Sequence, residues 1–275
     1  MTKQPEQSPP EGERAWDEVL TSLCHLQRVF PDAVVVGGTA SALYAGHRVS
    51  FDHDHVLSDL RSRFDEVLSD LEAVAGWETA RLRRPHLILG SLDGVDTGIR
   101  QLRRSKPLET TTMRVGTFDV RLPTLAEILR IKAFLCLDRN ATRDYLDLAA
   151  LASHQGFDAA VTALTTMDDL YPQKNGDRWA VRTQLVKQLA DPRPYDLDSV
   201  DLAEYKGIRA PLNQWANVAE VCARLSDRLL HGFLAQLTDD ASAEADAARV
   251  SLQDWRNSRE RGERPPIPPL PGLKT

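Results

Sequence analysis

Two carboxylates, Asp52 and Asp54, stand two residues apart in a short segment that predicts a strand over residues 51–57. Side chains alternate between the two faces of a strand, so both aspartates should point the same way while His53 and His55 point the other way. Ligands that are all oxygens suit Mg²⁺ or Mn²⁺, which keep bound waters and bridge to phosphates. The pair therefore indicates a divalent-metal site for in-line phosphoryl displacement.

A glycine turn precedes the aspartates. Residues 33–36 predict a short buried strand that ends in Gly37-Gly38, and an alanine-rich helix should begin at Thr39. Backbone N–H groups at such a helix start can bind a triphosphate, and glycine leaves no Cβ in the way. The hydroxyls of Thr39 and Ser41 could add further donors.

The order strand, glycine pair, helix and strand, with S-x-D-x-D starting at Ser50, resembles the polymerase-β-like nucleotidyltransferase superfamily. Within it the chain is similar to the AbiEii/AbiGii toxin group, to which the MenT toxins belong. A second block extends the resemblance: a helix carrying Lys132 and then an R-D-x-x-D motif that starts at Arg143. The resemblance covers residues 34–152 and does not reach the region after residue 155.

The resemblance implies a toxin that transfers NMP from an NTP to the 3′ acceptor end of tRNA and that is paired with a cognate antitoxin. It implies Mg²⁺ or Mn²⁺ as cofactor, held by Asp52, Asp54 and a third carboxylate. The catalytic residues would be Asp52, Asp54, Lys132 and Asp147. The nucleotide-binding residues would be Gly37, Gly38, Thr39, Arg48, Ser50, Lys132 and Asp144.

Two residues compete for the place of the third carboxylate. Asp96 opens a predicted strand over residues 97–102, and Asp119 lies in a later predicted strand over residues 117–122. We expect Asp96 to be the metal ligand. The same local sequence around Asp96 is also compatible with a hairpin turn.

The second block has its own physical interpretation. Asp144 and Asp147 are three residues apart on a predicted helix and share a face, with Lys132 on the preceding helix within reach. A lysine there can act as a point charge on a phosphate. The alternative is an ion pair between Arg143 and Asp147 near the helix start, with Lys132 exposed.

Composition limits the classes of function. The whole chain carries a net charge of -6, yet residues 81–121 contain nine basic and four acidic residues, so a local basic surface could bind a phosphate backbone. The alternative is a sheet edge protected by arginines.

Three separated cysteines favour a reducing cytoplasm, and His47, His53 and His55 form no recognised zinc ligand set. We find no 18-residue apolar run and expect no membrane contact.

Periodicity assigns the elements around these residues. An α+β fold is expected: an N-terminal nucleotidyltransferase domain over residues 13–122 with a mixed sheet and helices, then an all-helical domain over residues 123–260 that completes the active site. Residues 1–12 and the proline-rich residues 261–275 are expected to be disordered.

Three classes of function remain open at this stage. One is the RNA-modifying nucleotidyltransferase described above. Another is a nucleotidyltransferase that acts on a small molecule or a protein side chain. The third, a non-catalytic binding module of the same fold, is disfavoured because all five polar residues of the two motifs are intact, namely Asp52, Asp54, Lys132, Asp144 and Asp147.

Overall fold

A computed structural model of the protein describes residues 11–104, 106–171, 181–202, 205–239 and 243–263. These residues form two compact units. Among the described residues, the first unit holds 11–124 and 205–209, and the second holds 125–202 and 210–263. The predicted disordered ends lie mostly outside the described residues, although the first helix already begins at Glu11.

A mixed five-stranded sheet organises the first unit, with the strand order β1-β2-β5-β4-β3. Its strands are β1 (Val34–Val36), β2 (Asp52–Leu57), β3 (Trp77–Arg83), β4 (Leu87–Leu92) and β5 (Val95–Gln101). The β2 and β5 strands run parallel, whereas the other neighbours pair antiparallel. A separate two-stranded sheet pairs β6 (Thr110–Val115) with β7 (Phe118–Pro123).

Three helices belong to the first unit: α1 (Glu11–Val29), α2 (Gly37–Ala45) and α3 (Phe64–Glu72). Leu26 of α1 and Leu71 of α3 pack in one core cluster with Leu57, Ile88 and Ile99 of the sheet. These three strand residues share one face because side chains alternate along a strand. Asp52 and Asp54 therefore lie on the opposite face of β2, away from this core.

The periodicity of residues 60–75 predicts a helix over that whole span, but α3 is shorter. It begins at Phe64 because the preceding residues form turns, in which the N–H groups of Ser62 and Arg63 donate to the carbonyl oxygen of Asp59. It ends at Glu72, ahead of Gly76 with its left-handed φ of 84°.

The second unit contains helices and no strand among its described residues, as predicted. The helices are α4 (Leu125–Asp138), α5 (Thr142–Gln155), α6 (Phe157–Leu164), α7 (Met167–Leu170), α8 (Val181–Ala190), α9 (Trp215–Asp239) and α10 (Ala243–Glu260). Short 3-10 turns occur at Leu197–Ser199 and, in the first unit, at Tyr205–Gly207.

The helical pattern of residues 158–170 predicts one continuous helix, but the structure has two, α6 and α7. The helix breaks at Thr165 and Thr166, whose hydroxyls donate to the carbonyl oxygens of Thr162 and Ala163. Such side-chain bonds compete with the helical backbone pattern.

Among the described residues, none of the helices has the length and apolarity that crossing a membrane requires.

Candidate active site

The glycine pair forms the junction between β1 and α2. Gly37 opens α2 with φ 73°, a left-handed conformation that favours glycine, and a Cβ added there would lie 3.9 Å from Asp54 Oδ2. A Cβ on Gly38 would lie 2.4 Å from Arg48 Nη2 and 3.0 Å from Ser50 Oγ. Gly38 therefore permits the close approach of the β2 side of the site to the start of α2, whereas Gly37 is favoured by its backbone conformation.

No side chain caps the N-terminus of α2, where the N-cap residue is Val36. The first N–H groups of a helix have no partner within it and carry a partial positive charge. The hydroxyls nearby are already engaged, because Thr39 donates to the carbonyl oxygen of Asp52 and Ser41 donates to that of Gly37. The backbone at this turn is thus the better candidate for an anion than the two hydroxyls.

Three carboxylates lie on the face of the sheet that α1 and α3 leave uncovered. Asp52 on β2 is the direct register partner of Asp96 on β5, and Asp54 is the partner of Gly98. Paired residues of neighbouring strands point to the same face, and Asp52 and Asp96 are both exposed. Gly98 has no side chain that would separate Asp54 from Asp96, and a Cβ there would lie 3.4 Å from Asp54 Oδ1.

Asp119, the competing third carboxylate, lies on β7 in the two-stranded sheet. Its carboxylate accepts from Arg114 at 3.0 Å, and both side chains are exposed. The register of the larger sheet brings Asp96, and not Asp119, beside the aspartates of β2.

Each aspartate of β2 has its own partner. The Ser50 hydroxyl donates to Asp52 Oδ1 at 2.8 Å, and Arg100 donates twice to Asp54 Oδ1, from Nε and Nη2, at 3.3 Å each. Within the described ranges no three His, Cys, Asp or Glu side chains converge as a metal-holding group. The donor set still fits Mg²⁺, because this cation keeps several waters and needs only one or two carboxylates besides substrate phosphates.

Two histidines occupy the opposite face of β2. His53 Nε2 lies 3.0 Å from Ser22 Oγ, and its Nδ1 lies 2.9 Å from Thr97 Oγ1. Ser22 also donates to the carbonyl oxygen of Leu92, and Thr97 donates to that of His53, so these two hydroxyls tie the buried ring to the neighbouring backbone. Burial lowers the pKa of His53 to about 4 and that of His55 well below its usual value. Both rings are therefore neutral at pH 7.

The second unit contains a buried ionic cluster. Lys132 Nζ on α4 lies 2.6 Å from Asp147 Oδ2 and 3.6 Å from Asp144 Oδ1, and Arg139 donates to both oxygens of Asp144. The lysine side chain is only 2% exposed and both aspartates are fully buried. The alternative of an exposed Lys132 was wrong, and Arg143 is an exposed residue of α5.

Sequence reasoning missed two arginines in these clusters, Arg100 and Arg139. Arg100 follows Asp96 by an even number of positions on β5, so strand alternation could have placed it on the carboxylate face. Arg139 lies between α4 and α5 and reaches Asp144 through the turn between these helices. No periodic signal marks that position.

No protein-family model matches the chain. It is 43% identical over 205 residues to the heme uptake protein MmpL11 of Mycobacterium tuberculosis H37Rv, with 65% of this chain and 20% of that protein covered. It is 34% identical over 137 residues to the mycolic acid-containing lipids exporter MmpL11 of Mycolicibacterium smegmatis, covering 49% of this chain and 14% of the exporter. The chain thus spans at most about a fifth of the length of these curated relatives.

Two solved structures are similar to this fold. One is an antigenic nucleotidyltransferase-like protein from Paracoccidioides brasiliensis, with a TM-score of 0.41 and 20% identity over 56% of this chain and 88% of that one. The other is a protein from H. pylori whose assignment as a nucleotidyltransferase is itself provisional, with a TM-score of 0.45 and 17% identity over 81% of this chain and 96% of that one.

Proposed function

We propose that the chain is a metal-dependent nucleotidyltransferase. The observation that carries the proposal is the common sheet face that Asp52, Asp54 and Asp96 share on two adjacent parallel strands, next to the glycine start of α2. Three carboxylates on one small exposed surface repel one another unless cations compensate them. An uncapped helix start beside them adds a site for phosphate groups.

The reaction would be an in-line displacement on the α-phosphorus of an NTP. The acceptor hydroxyl oxygen forms the new bond to phosphorus, and the bond to the bridging oxygen breaks. Pyrophosphate leaves with the bonding electrons, and the hydroxyl proton passes to a nearby carboxylate or to water. Divalent cations held by Asp52, Asp54 and Asp96 would neutralise charge on the attacking and leaving oxygens.

The chain's own residues would orient the nucleotide. Backbone N–H groups of Gly37, Gly38 and Thr39 would donate to the triphosphate, with the polyphosphate running along the start of α2. Ser50 is fully buried and holds Asp52 Oδ1, so its role is to orient that carboxylate. Arg48 packs against Gly38 and fixes the spacing between the helix start and β2.

The Lys132 cluster supports a structural role in addition to the catalytic role that the resemblance implies. Lys132 and Arg139 together balance the negative charges of Asp144 and Asp147 inside the second unit. Activity lost on substitution of Lys132 must therefore be read together with a measurement of folding.

RNA is the acceptor that we propose, and specifically the 3′ acceptor end of tRNA. Arg100, Leu87 and Arg83 form one row of paired residues across the sheet, and Gly98, Leu89 and Arg81 form the next row. All six lie on the carboxylate face, and the three arginines are exposed. The arginines would bind the phosphate backbone, and the half-buried leucines between the arginines would offer apolar contact to bases. The toxin role and the cognate antitoxin partner extend this proposal through the group resemblance.

Transfer of label tests the proposal. Protein is incubated with Mg²⁺ and each NTP labelled at the α-phosphate, together with total tRNA, other RNA, protein or small amines. We expect label in tRNA and weaker labelling as salt concentration rises, because phosphate contacts release counterions. Asp52→Asn should reduce turnover at least about 10³-fold, since several kcal/mol of transition-state charge stabilisation is lost.

Asp119→Asn is the matched control, because it removes an exposed aspartate outside the carboxylate face and should retain labelling. Equal turnover of wild type and Asp52→Asn would refute the metal-dependent reaction. Label in small amines or proteins but never in RNA would refute the acceptor and leave nucleotidyl transfer standing.

The names of the MmpL11 relatives favour a second candidate, a binding module that works with a transport protein. It rests on the 43% identity with a heme uptake protein, of which this chain covers 20%. Under this candidate no NTP labels any acceptor. A titration with heme should then give a saturable shift of its main absorbance band, whereas the nucleotidyltransferase should give none.

A further inference from the structure

Arg100 reaches backward along the sheet to contact Asp54. Its strand partner in register is Val56, whereas Asp54 is paired with Gly98. The guanidinium nevertheless donates to Asp54 Oδ1, and it can do so because Gly98 offers no side chain in the space between them. The sheet therefore brings the guanidinium of Arg100 over the surface where Asp54 would bind a metal ion.

The contact between Arg100 and Asp54 has the geometry of a weak pair. Both guanidinium nitrogens approach the same oxygen, at 3.3 Å each, whereas a strong arginine–carboxylate fork uses both oxygens at shorter distances. The two side chains are 44% and 34% exposed, so water screens their attraction. An exposed pair of this kind can be exchanged for another partner at little cost.

The charges of the face indicate what Arg100 binds after such an exchange. Asp52, Asp54 and Asp96 carry three negative charges, and two divalent cations would overcompensate them. Arg100 would then add further positive charge beside the cations. A bound triphosphate removes this repulsion, and its oxygens accept from the donors that Asp54 has released.

We propose that Arg100 is a nucleotide-binding residue that exchanges its partner, from Asp54 in the empty protein to the triphosphate when the cation and nucleotide bind. The inference rests on the proposed function of the carboxylate face. Arg100 consequently disfavours binding of a bare cation and favours binding of the cation together with an NTP. It makes the site selective for the complete cation–nucleotide complex.

Two binding measurements test this exchange without any turnover. Mn²⁺ alone is titrated by electron paramagnetic resonance, and a nucleotide with a non-cleavable bond between the α- and β-phosphates is then titrated at saturating Mn²⁺. For Arg100→Gln we expect Mn²⁺ alone to bind roughly two- to fivefold more tightly, because the lost pair is an exposed one. The nucleotide should bind about tenfold more weakly, because a charge-assisted contact is lost.

Arg114→Gln is the control, since Arg114 also forms an exposed pair with an aspartate but lies on the smaller sheet. It should change neither affinity by more than about twofold. Arg100→Lys keeps the charge, so it should bind Mn²⁺ alone like the wild type and recover part of the nucleotide affinity. Thermal melts of all variants report folding.

Tighter binding of Mn²⁺ alone together with weaker binding of the nucleotide in Arg100→Gln would support the exchange. Changes of the same sign, or affinities equal to those of the wild type, would overturn it while leaving the carboxylate site intact. Absence of Mn²⁺ and nucleotide binding in the wild-type protein would instead overturn the proposed function, and the inference with it.

Discussion

Replacing Lys132 with methionine would measure what a buried ion pair contributes to this fold. Lys132 Nζ lies 2.6 Å from Asp147 Oδ2, with side-chain exposures of 2% and 0%. Removal of the ammonium takes this cation from Asp147, whereas Asp144 keeps the guanidinium of Arg139 at 2.7 Å. Because breaking a buried pair from one side costs about 3–5 kcal/mol, Lys132→Met should lower the free energy of unfolding by that amount.

A double-mutant cycle isolates the pair. Urea unfolding followed by circular dichroism at pH 7 is compared for the wild type, Lys132→Met, Asp147→Asn and the double variant. The double variant should lose less stability than the sum of the single variants, by at least about 2 kcal/mol, because it removes both charges of the pair together. Additive losses, or a loss below about 1 kcal/mol in Lys132→Met, would refute the reasoning.

Two further predictions follow from the first unit. Gly38→Ala should lower the free energy of unfolding by about 1–3 kcal/mol, because the added Cβ would meet Arg48 and Ser50. The control Gly232→Ala, in the α9 helix, should not destabilise the protein. Equal melting temperatures for the two variants would contradict this prediction. The folded protein lowers the pKa of His53 to about 4, from about 6.5 in the unfolded chain, so folding favours the neutral ring. Above pH 6.5 the stability is unaffected by this titration, whereas between pH 6.5 and 4 the unfolded chain binds the proton more readily and up to about 3 kcal/mol of stability is lost. Urea unfolding between these pH values should show that the free energy of unfolding falls less steeply with pH in His53→Gln than in the wild type. The same pH dependence in both proteins would exclude His53 as the cause.

Strand alternation alone was sufficient to orient Asp52 and Asp54. The structure agrees, because the burial of β2 alternates from Asp52 onward and His53 and His55 are buried on the other side. The glycine turn could also be predicted from neighbouring residues, because the left-handed φ of Gly37 depends on the residue type at that position. The approach of Arg48 to Gly38 was not local, and no spacing rule predicts it.

The third carboxylate illustrates where sequence reasoning stopped. Asp96 was predicted at the start of a strand and Asp119 within a later one, and both lie on strands in the structure. Only the pairing of β5 with β2 separates them, because it brings Asp96 into register with Asp52 and leaves Asp119 on another sheet. Residues that pair across β2 and β5, such as His53 and Thr97, are 44 positions apart in the sequence. Contacts over that separation depend on how the whole sheet assembles.

The sequence by itself determined the local features: the strand, glycine turn, helix and strand around Asp52 and Asp54, the change to helices after the sheet, and the basic composition of residues 81–121. These follow from periodicity and backbone preferences that act within a few residues. Tertiary structure alone decided that Arg100 contacts Asp54, that Asp96 joins the carboxylate face and that Lys132 is buried. Burial and ion pairing depend on which surfaces meet, and that is set by packing between segments distant in the chain.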